Sequence, residues 1–228
     1  LGDINADGLV DIATANAGTN TNTVSVLLGT GDGRFGTNVD YPTGARPYSV
    51  AIADVDADGN LDLLTANQDS DTFSVLLGDG EGSFAKNVDF GTGSRPQFVT
   101  VADLNGDEIL DVIIGNYWTY AVSVHLGQGK GSFAANVDYP TGVAPVFVAI
   151  SDFNGDSKLD LVSANFYEST VSVLMGIGDG TFAEGITYAV GTYPNSVVAG
   201  DINSDGRPDI VTADFQTNTV SLLFNSCQ

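Results

Sequence analysis

The sequence predicts an all-β chain built from a tandem four-stranded antiparallel unit. Three observations predict it: a fixed internal period, short β-branched and aromatic runs bounded by Gly, Asn or Asp, and no sustained helical apolar rhythm. The period comes first, because self-similarity at about 20 to 50 residues decides an architecture before local structure is read. The segments DINADGLVD, DVDADGNLD, DLNGDEILD, DFNGDSKLD and DINSDGRPD begin at Asp3, Asp54, Asp103, Asp152 and Asp201, giving spacings of 51, 49, 49 and 49. The longer first spacing is a loop insertion: AGTNTNT lies between Asn16 and Val24, against QDSDT between Asn67 and Phe73.

Other landmarks keep phase. VSVLLGTGDGRF, FSVLLGDGEGSF, VSVHLGQGKGSF and VSVLMGIGDGTF recur, followed by VDYPTG, VDFGTG, VDYPTG and ITYAVG. In the second unit the strands read YSVAIAD, LDLLTAN, FSVLLG and KNVDFG. Their short connections imply an antiparallel meander. One such sheet cannot bury both faces alone, so neighbouring copies must pack face to face. Radial stacking into a β-propeller suits units of this length, with a linear stack of blades as the alternative. Residues 1–228 read as a single array with incomplete terminal blades, since the chain begins at a DxNxDG loop and stops just after VSLLFN. More chain or a second copy is expected to supply the missing strands; a second copy would give head-to-tail self-assembly and a filament.

Composition fits an ordered chain: 43% of residues are apolar, 16% are charged and 28 are glycine. Twenty-nine acidic residues against seven basic ones give a net charge of -22, which repels nucleic acid and anionic membranes. The five loops hold 16 aspartates, more than half of the acidic total, so the charge is local in purpose. The lone Cys227 forms no internal bridge. There is no run of about 18 apolar residues and no charged-then-apolar leader, so no membrane insertion is expected.

Each loop follows Dx[ND]xDGxxD, with side-chain oxygens at positions 1, 3, 5 and 9. These are Asp3, Asn5, Asp7 and Asp11; Asp54, Asp56, Asp58 and Asp62; Asp103, Asn105, Asp107 and Asp111 in the first three loops. Asp152, Asn154, Asp156 and Asp160, then Asp201, Asn203, Asp205 and Asp209, complete the set. A hard divalent cation needs such oxygens, and a backbone carbonyl at position 7 adds another. Leu9, Asn60, Ile109, Lys158 and Arg207 hold that position, and their varied side chains suit a backbone role. One loop alone fits a simple Asx turn equally well. Five in phase, with carboxylates packed into nine residues, point to Ca²⁺, about one per repeat and up to five. Binding only the folded state, such ions would couple metal to stability.

Position 6 should favour glycine, because the chain turns sharply there. Gly8, Gly59 and Gly206 comply, whereas Glu108 and Ser157 do not. The third and fourth loops are therefore expected to carry about 1 kcal/mol of strain and to lose calcium first. An EF-hand is excluded, since position 12 is Thr14, Thr65, Ile114, Ser163 or Thr212 in strand sequence rather than the bidentate Glu.

The DxNxDGxxD loop, followed by LLGxGxGxF and then GARP or GSRP, resembles the FG-GAP/VCBS repeat family over essentially the whole chain. The resemblance implies a β-propeller of the kind found in integrin α-subunits, fungal lectins and bacterial surface proteins. It implies calcium at the residues named above. Family propellers commonly close with seven blades, and only five second and five third strands are counted here. The implied setting is extracellular or at the cell surface, where millimolar calcium suffices for weak sites. The expected role is an adhesion or structural module with a protein or glycan partner, lectin-like carbohydrate binding being the alternative.

No enzyme is expected. GxSxG, HExxH and Cys/His pairs are absent, and the only histidine, His125, stands where Leu27, Leu76, Leu174 and Leu223 stand elsewhere. The loops joining second to third strands gather on the face opposite the calcium loops. There Tyr117, Trp118, Tyr120, Phe166, Tyr167 and Phe215 form a possible ligand face, their other reading being packing between blades. The in-register Tyr41, Phe90, Tyr139 and Tyr188 read as core. No NxS or NxT sequon occurs, which leaves Thr19, Thr21 and Thr23 as O-glycosylation candidates.

Overall fold

The computed structural model describes residues 1–18 and 21–226, so Thr19 and Cys227 lie outside the described residues. The described residues form twenty strands and no helix, and the strands make five blades and one small separate hairpin. Blade 1 holds β1 (Ile12–Ala15), β2 (Thr23–Leu27) and β3 (Val39–Pro42); blade 2 holds β4 (Pro47–Ala53), β5 (Asp62–Asn67), β6 (Thr72–Leu76) and β7 (Val88–Gly91). Blade 3 holds β8 (Pro96–Ala102), β9 (Asp111–Asn116), β10 (Ala121–His125) and β13 (Val137–Pro140), with β11 (Gly127–Gly129) and β12 (Ser132–Phe133) as a small separate hairpin. Blade 4 holds β14 (Pro145–Ser151), β15 (Asp160–Asn165), β16 (Thr170–Leu174) and β17 (Ile186–Ala189). Blade 5 holds β18 (Pro194–Gly200), β19 (Asp209–Asp214) and β20 (Thr219–Leu223). All pairings are antiparallel and join consecutive strands, except that in blade 3 β10 pairs with β13 across the β11–β12 hairpin, so each blade is the meander that the short turns predict.

The packing explains why the central strands read as nearly continuous apolar runs. Strands β5, β9 and β15 are buried at every residue, because each is covered on both faces. Side chains alternate between the two covers: Leu63 joins a core with blade 1 residues, and its neighbour Leu64 joins a core with blade 3 residues. Four apolar cores result, each drawn from two consecutive blades. The closest approaches between blades run through the first strands, with β4 beside β8, β8 beside β14 and β14 beside β18. Blades that converge on their first strands fan out radially, as in a β-propeller rather than a linear stack.

A polar clasp ties the blades together at the end away from the aspartate loops. In blade 2, Asn67 Nδ2 donates to Ser74 Oγ at 2.8 Å, and that hydroxyl donates to Asp89 at 2.7 Å. The same hydroxyl accepts from the amide of Gly44, in the connection from blade 1. Blade 3 repeats the Asn–Ser–Asp chain with Asn116, Ser123 and Asp138, and blade 4 repeats the Asn and glycine-amide bonds to the hydroxyl with Asn165, Gly142 and Ser172. Asn67 Oδ1 accepts from Thr65, and Asn165 Oδ1 from Ser163, but Asn116 Oδ1 has no donor. Ile114 occupies the corresponding place in blade 3 and carries no hydroxyl.

The in-register aromatics are core where a following blade hairpin covers them. Tyr41, Phe90 and Tyr139 meet Phe84, Phe133 and Phe182 edge-on, with centroids 5.2, 5.4 and 5.2 Å apart. Tyr188 departs from the expectation. It is exposed and lines an apolar cleft of about 170 Å³ with Phe153, Met175 and Ile210, where the other cores hold a hairpin phenylalanine.

Candidate metal loops and the opposite face

Each loop folds around its own side-chain oxygens. The carboxylate at position 1 receives two amides: Asp3 Oδ1 accepts from Asp7 N at 3.0 Å and Oδ2 from Gly8 N at 2.9 Å. Asp54, Asp103, Asp152 and Asp201 repeat both bonds. The position 5 amide also donates to the position 3 side chain, at 3.3 Å for Asn5 and 2.8 Å for Asn154. Position 5 in turn accepts from the amide of position 7, as Asp7 does from Leu9 at 2.8 Å. Positions 1, 3 and 5 are thereby drawn together. In the second loop, oxygens of Asp54, Asp56 and Asp58 all lie within 4.8 Å of one another.

This wrapping requires two left-handed residues per loop. Position 6 is left-handed as expected, with φ of 83° at Gly8, 92° at Gly59, 67° at Glu108, 66° at Ser157 and 85° at Gly206. Position 4 is left-handed as well: Ala6, Ala57 and Ser204 lie at 55°, 62° and 63°, and Gly106 and Gly155 at 76° and 77°. Every loop therefore has one glycine and one strained side chain, at exchanged places. The extra strain expected at Glu108 and Ser157 is matched at Ala6, Ala57 and Ser204, so the missing glycine makes no difference in left-handed strain between the loops.

Position 9 plays a different part from the other three. Asp11, Asp62, Asp111, Asp160 and Asp209 are wholly buried. Each bridges two backbone segments: Asp62 Oδ2 accepts from Val55 N and Oδ1 from Gly78 N, both at 2.8 Å. Gly29, Gly127 and Gly176 repeat the second bond, and Asn225 does so in blade 5. Glycine is required in the complete blades, because a Cβ on Gly78 would come within 2.2 Å of the Leu61 carbonyl. Burial raises the carboxyl pKa of Asp62 to about 6, with the charges of Asp56 and Asp54 adding to the rise. Burial raises Asp111 and Asp160 in the same direction.

The donor set fits a hard divalent cation. It is all oxygen, the backbone amides hold it in place, and Asp56 is raised by burial first and by Asp58 and Asp54 beside it. Position 9 fits as the closing carboxylate only through lone pairs that its two amides leave free. In the fourth loop, Lys158 Nζ lies 3.7 Å from Asp156, so a protein cation already faces that carboxylate.

On the opposite face, the aromatics named from the sequence fall into two groups. Tyr117, Phe166 and Tyr167 form one cluster, with Tyr117 and Tyr167 centroids 5.7 Å apart across blades 3 and 4. Tyr193 completes it, stacked on Phe166 at 4.8 Å. Trp118 stands apart, 55% exposed, with the Arg95 guanidinium 4.0 Å from its ring centroid. Tyr120 and Phe215 are exposed. Sequence reasoning missed Tyr193 and Arg95. Their signal was position, since both precede a proline that starts a first strand and both are left-handed.

Comparison with known proteins agrees with this architecture. No curated protein matches the chain. Among solved structures, an Agrocybe aegerita lectin that recognises non-reducing terminal N-acetylglucosamine is 22% identical, with a TM-score of 0.61 over 99% of this chain and 65% of that one. The Vibrio cholerae biofilm matrix protein Bap1 is 18% identical, with a TM-score of 0.60 over 99% of this chain and 36% of that one. BBS1N, solved in complex with ARL6DN, is 12% identical at a TM-score of 0.65, over 100% and 67%. The chain thus spans just under two thirds of the lectin and about a third of Bap1. At these identities the likeness is one of fold, that of β-propeller proteins. The FG-GAP-like repeat matches residues 3–65, 54–114, 103–163 and 152–212, and with most of its length covered the chain belongs to the FG-GAP-like repeat family.

Proposed function

We propose that the chain is a calcium-stabilised extracellular module for adhesion or surface architecture, holding a protein or glycan partner on its aromatic face. The observation that carries this reading is the fivefold loop geometry, in which amides hold oxygens at positions 1, 3 and 5 together despite their charge. Ca²⁺ bound there would neutralise the carboxylates and cross-link each loop. The chain's own residues do the rest: positions 1, 3 and 5 present oxygen, and position 9 anchors the loop to the blade. A binding role rather than a catalytic one is supported by His125, which is buried, edge-on to Phe73 at 4.8 Å, and bonded to Ala134 O. The fold likeness to Bap1 supports a surface setting.

Calorimetric titration of calcium into chelator-stripped protein tests this. Saturable binding near five ions, with affinities on the order of 10⁻⁴ to 10⁻³ M, is expected. Absence of binding, with melting unchanged by chelator, would sink it.

A second reading, carbohydrate recognition, is favoured by the exposed Trp118 and Tyr167 and by the fold shared with a lectin. Aromatic rings are efficient anchors for a ligand face. The chain's acidity directs this reading toward neutral glycans. A glycan array in calcium should give saturable signals that Trp118→Ala loses. Silence across neutral glycans would leave the protein partner.

A further inference from the structure

The serine clasp loses its aspartate in blade 4, and a groove opens there against blade 3. In the first three blades the outermost strand is entered through Asn-Val-Asp, at Asn38 to Asp40, Asn87 to Asp89 and Asn136 to Asp138. Each aspartate accepts the proton of the serine facing it, Ser25, Ser74 or Ser123, and a second bond from the Asn Nδ2 two residues before it. Blade 4 reads Gly185-Ile186-Thr187 instead. Thr187 stands opposite Ser172 as Asp89 stands opposite Ser74.

Two consequences meet at this place. Ser172 is buried, and its oxygen accepts from Asn165 Nδ2 at 2.8 Å and from Gly142 N at 3.1 Å, yet among the described residues nothing takes its proton. A buried donor without an acceptor is a cost that native folds rarely leave standing. The space that the Asn and Asp side chains fill elsewhere is here a groove of about 400 Å³, lined in part by Ser172, Leu174, Phe182, Glu184, Gly185 and Thr187. Gly185 keeps it open, since a Cβ there would lie 3.1 Å from Leu174 Cδ2. Blades 3 and 4 both have all four strands and lie between blades 2 and 5, so the groove belongs to the interior of the array.

We propose that this groove binds a neutral sugar ring, one oxygen of which accepts the Ser172 proton where the other blades place a carboxylate. The repeat itself defines the missing group as an acceptor oxygen. An anionic ligand is disfavoured by Glu184 in the lining and by the net charge of -22, which leaves a hydroxyl or carbonyl oxygen on a neutral molecule. Glu184 and Thr187 are exposed and accept hydrogen bonds from further hydroxyls. Leu174 and Phe182 form an apolar floor for the C–H face of the ring, and the volume lies in the range of small-molecule pockets. The ligand class is that of the carbohydrate reading above, but the site is separate, since Tyr117, Trp118 and Tyr167 take no part in it.

Amide-resolved NMR of the 228-residue chain, titrated with methyl glycosides of neutral hexoses and N-acetylhexosamines, tests the proposal. The Gly142 amide, bonded to Ser172 Oγ, is the reporter. At least one of these sugars should move it saturably, and Trp118→Ala should leave that titration unchanged. Thr187→Asp, which returns the clasp carboxylate, should weaken binding at least tenfold, and Gly185→Asn together with Thr187→Asp should abolish it. Both variants complete a clasp that the chain already makes three times, so they should melt no lower than the parent. A Gly142 amide unmoved by every sugar would overturn the proposal, as would equal affinity in the parent and the double variant. Shifts confined to the aromatic face and lost in Trp118→Ala would uphold the carbohydrate reading and overturn this site.

Discussion

The two ends of each blade obey opposite rules. At the end that carries the aspartate loops, all five make the same bonds to the position 1 carboxylate, and even the place of the strained residue changes only by exchange between positions 4 and 6. At the other end, NQDSDT, NYWTYA, NFYEST and DFQTNT keep the leading Asn or Asp and the backbone bonds of the turn but vary in the side chains that follow, and NAGTNTNT is longer. Repetition marks the end that builds the fold, and variation marks the end free to recognise something.

Removing calcium should separate the ends most strongly. At calcium ten times the dissociation constant, each site contributes about 1.4 kcal/mol, or about 7 kcal/mol for five. Chelator should then lower Tm by more than about 15 °C, while Trp118→Ala should leave Tm within about 2 °C of the parent. Comparable losses from both would erase the distinction.

Within the calcium end, Asp54→Ala and Asp62→Ala divide ligand from anchor. Asp62→Ala leaves the buried amides of Val55 and Gly78 without an acceptor and should cost about 3 kcal/mol even in chelator. Asp54→Ala should cost most only when calcium is present. Denaturant melts with and without metal provide the check.

Smaller still is the glycine exchange. Glu108→Gly and Ala57→Gly each relieve one left-handed side chain, so both should stabilise by similar amounts, each about 1 kcal/mol or less. A much larger gain at Glu108 would restore the difference in strain that the backbone angles level.

The smallest effect lies between the ends, in the blade body. Burial lowers the pKa of His125, so the unfolded chain takes up the proton first. Stability is fully present above the unfolded pKa of about 6.5 and is lost as pH falls below it. His125→Leu, which restores the residue found at Leu76 and Leu174, should show a smaller loss than the parent between pH 7.5 and pH 5. Parallel losses in the two proteins would mean that His125 does not report on pH.

Strand order, period and the central strands were legible because burial on both faces leaves a run such as DLLTAN that only a covered strand tolerates. The oxygen-rich loops were legible because Asp and Asn at every second place serve no apolar core. The second left-handed position was not, since Ala6 and Ala57 carry no mark of a conformation imposed by hydrogen bonds to Asp3 and Asp54. Nor was the anchoring role of position 9: sequence placed Asp62 among the ligands, and only its burial and its bond to Gly78, 16 residues away, show what else it does. Tyr193 and Arg95 escaped because their place on the aromatic face follows from connections between blades, not from the loops that join second to third strands.

The anchor at position 9 also sets where the repeat can change length. Because one carboxylate spans the loop before the second strand and the hairpin after the third, a residue added to either would pull an amide off a buried acceptor. At the opposite end, the backbone bonds of the loop reach only to the connection beside it, as Gln68 N does to Arg46 O. The one insertion among the five repeats, AGTNTNT, sits at that end. Each blade is thus closed to growth at one end and open at the other, so new loops can be tried for recognition without altering the period at which the blades stack.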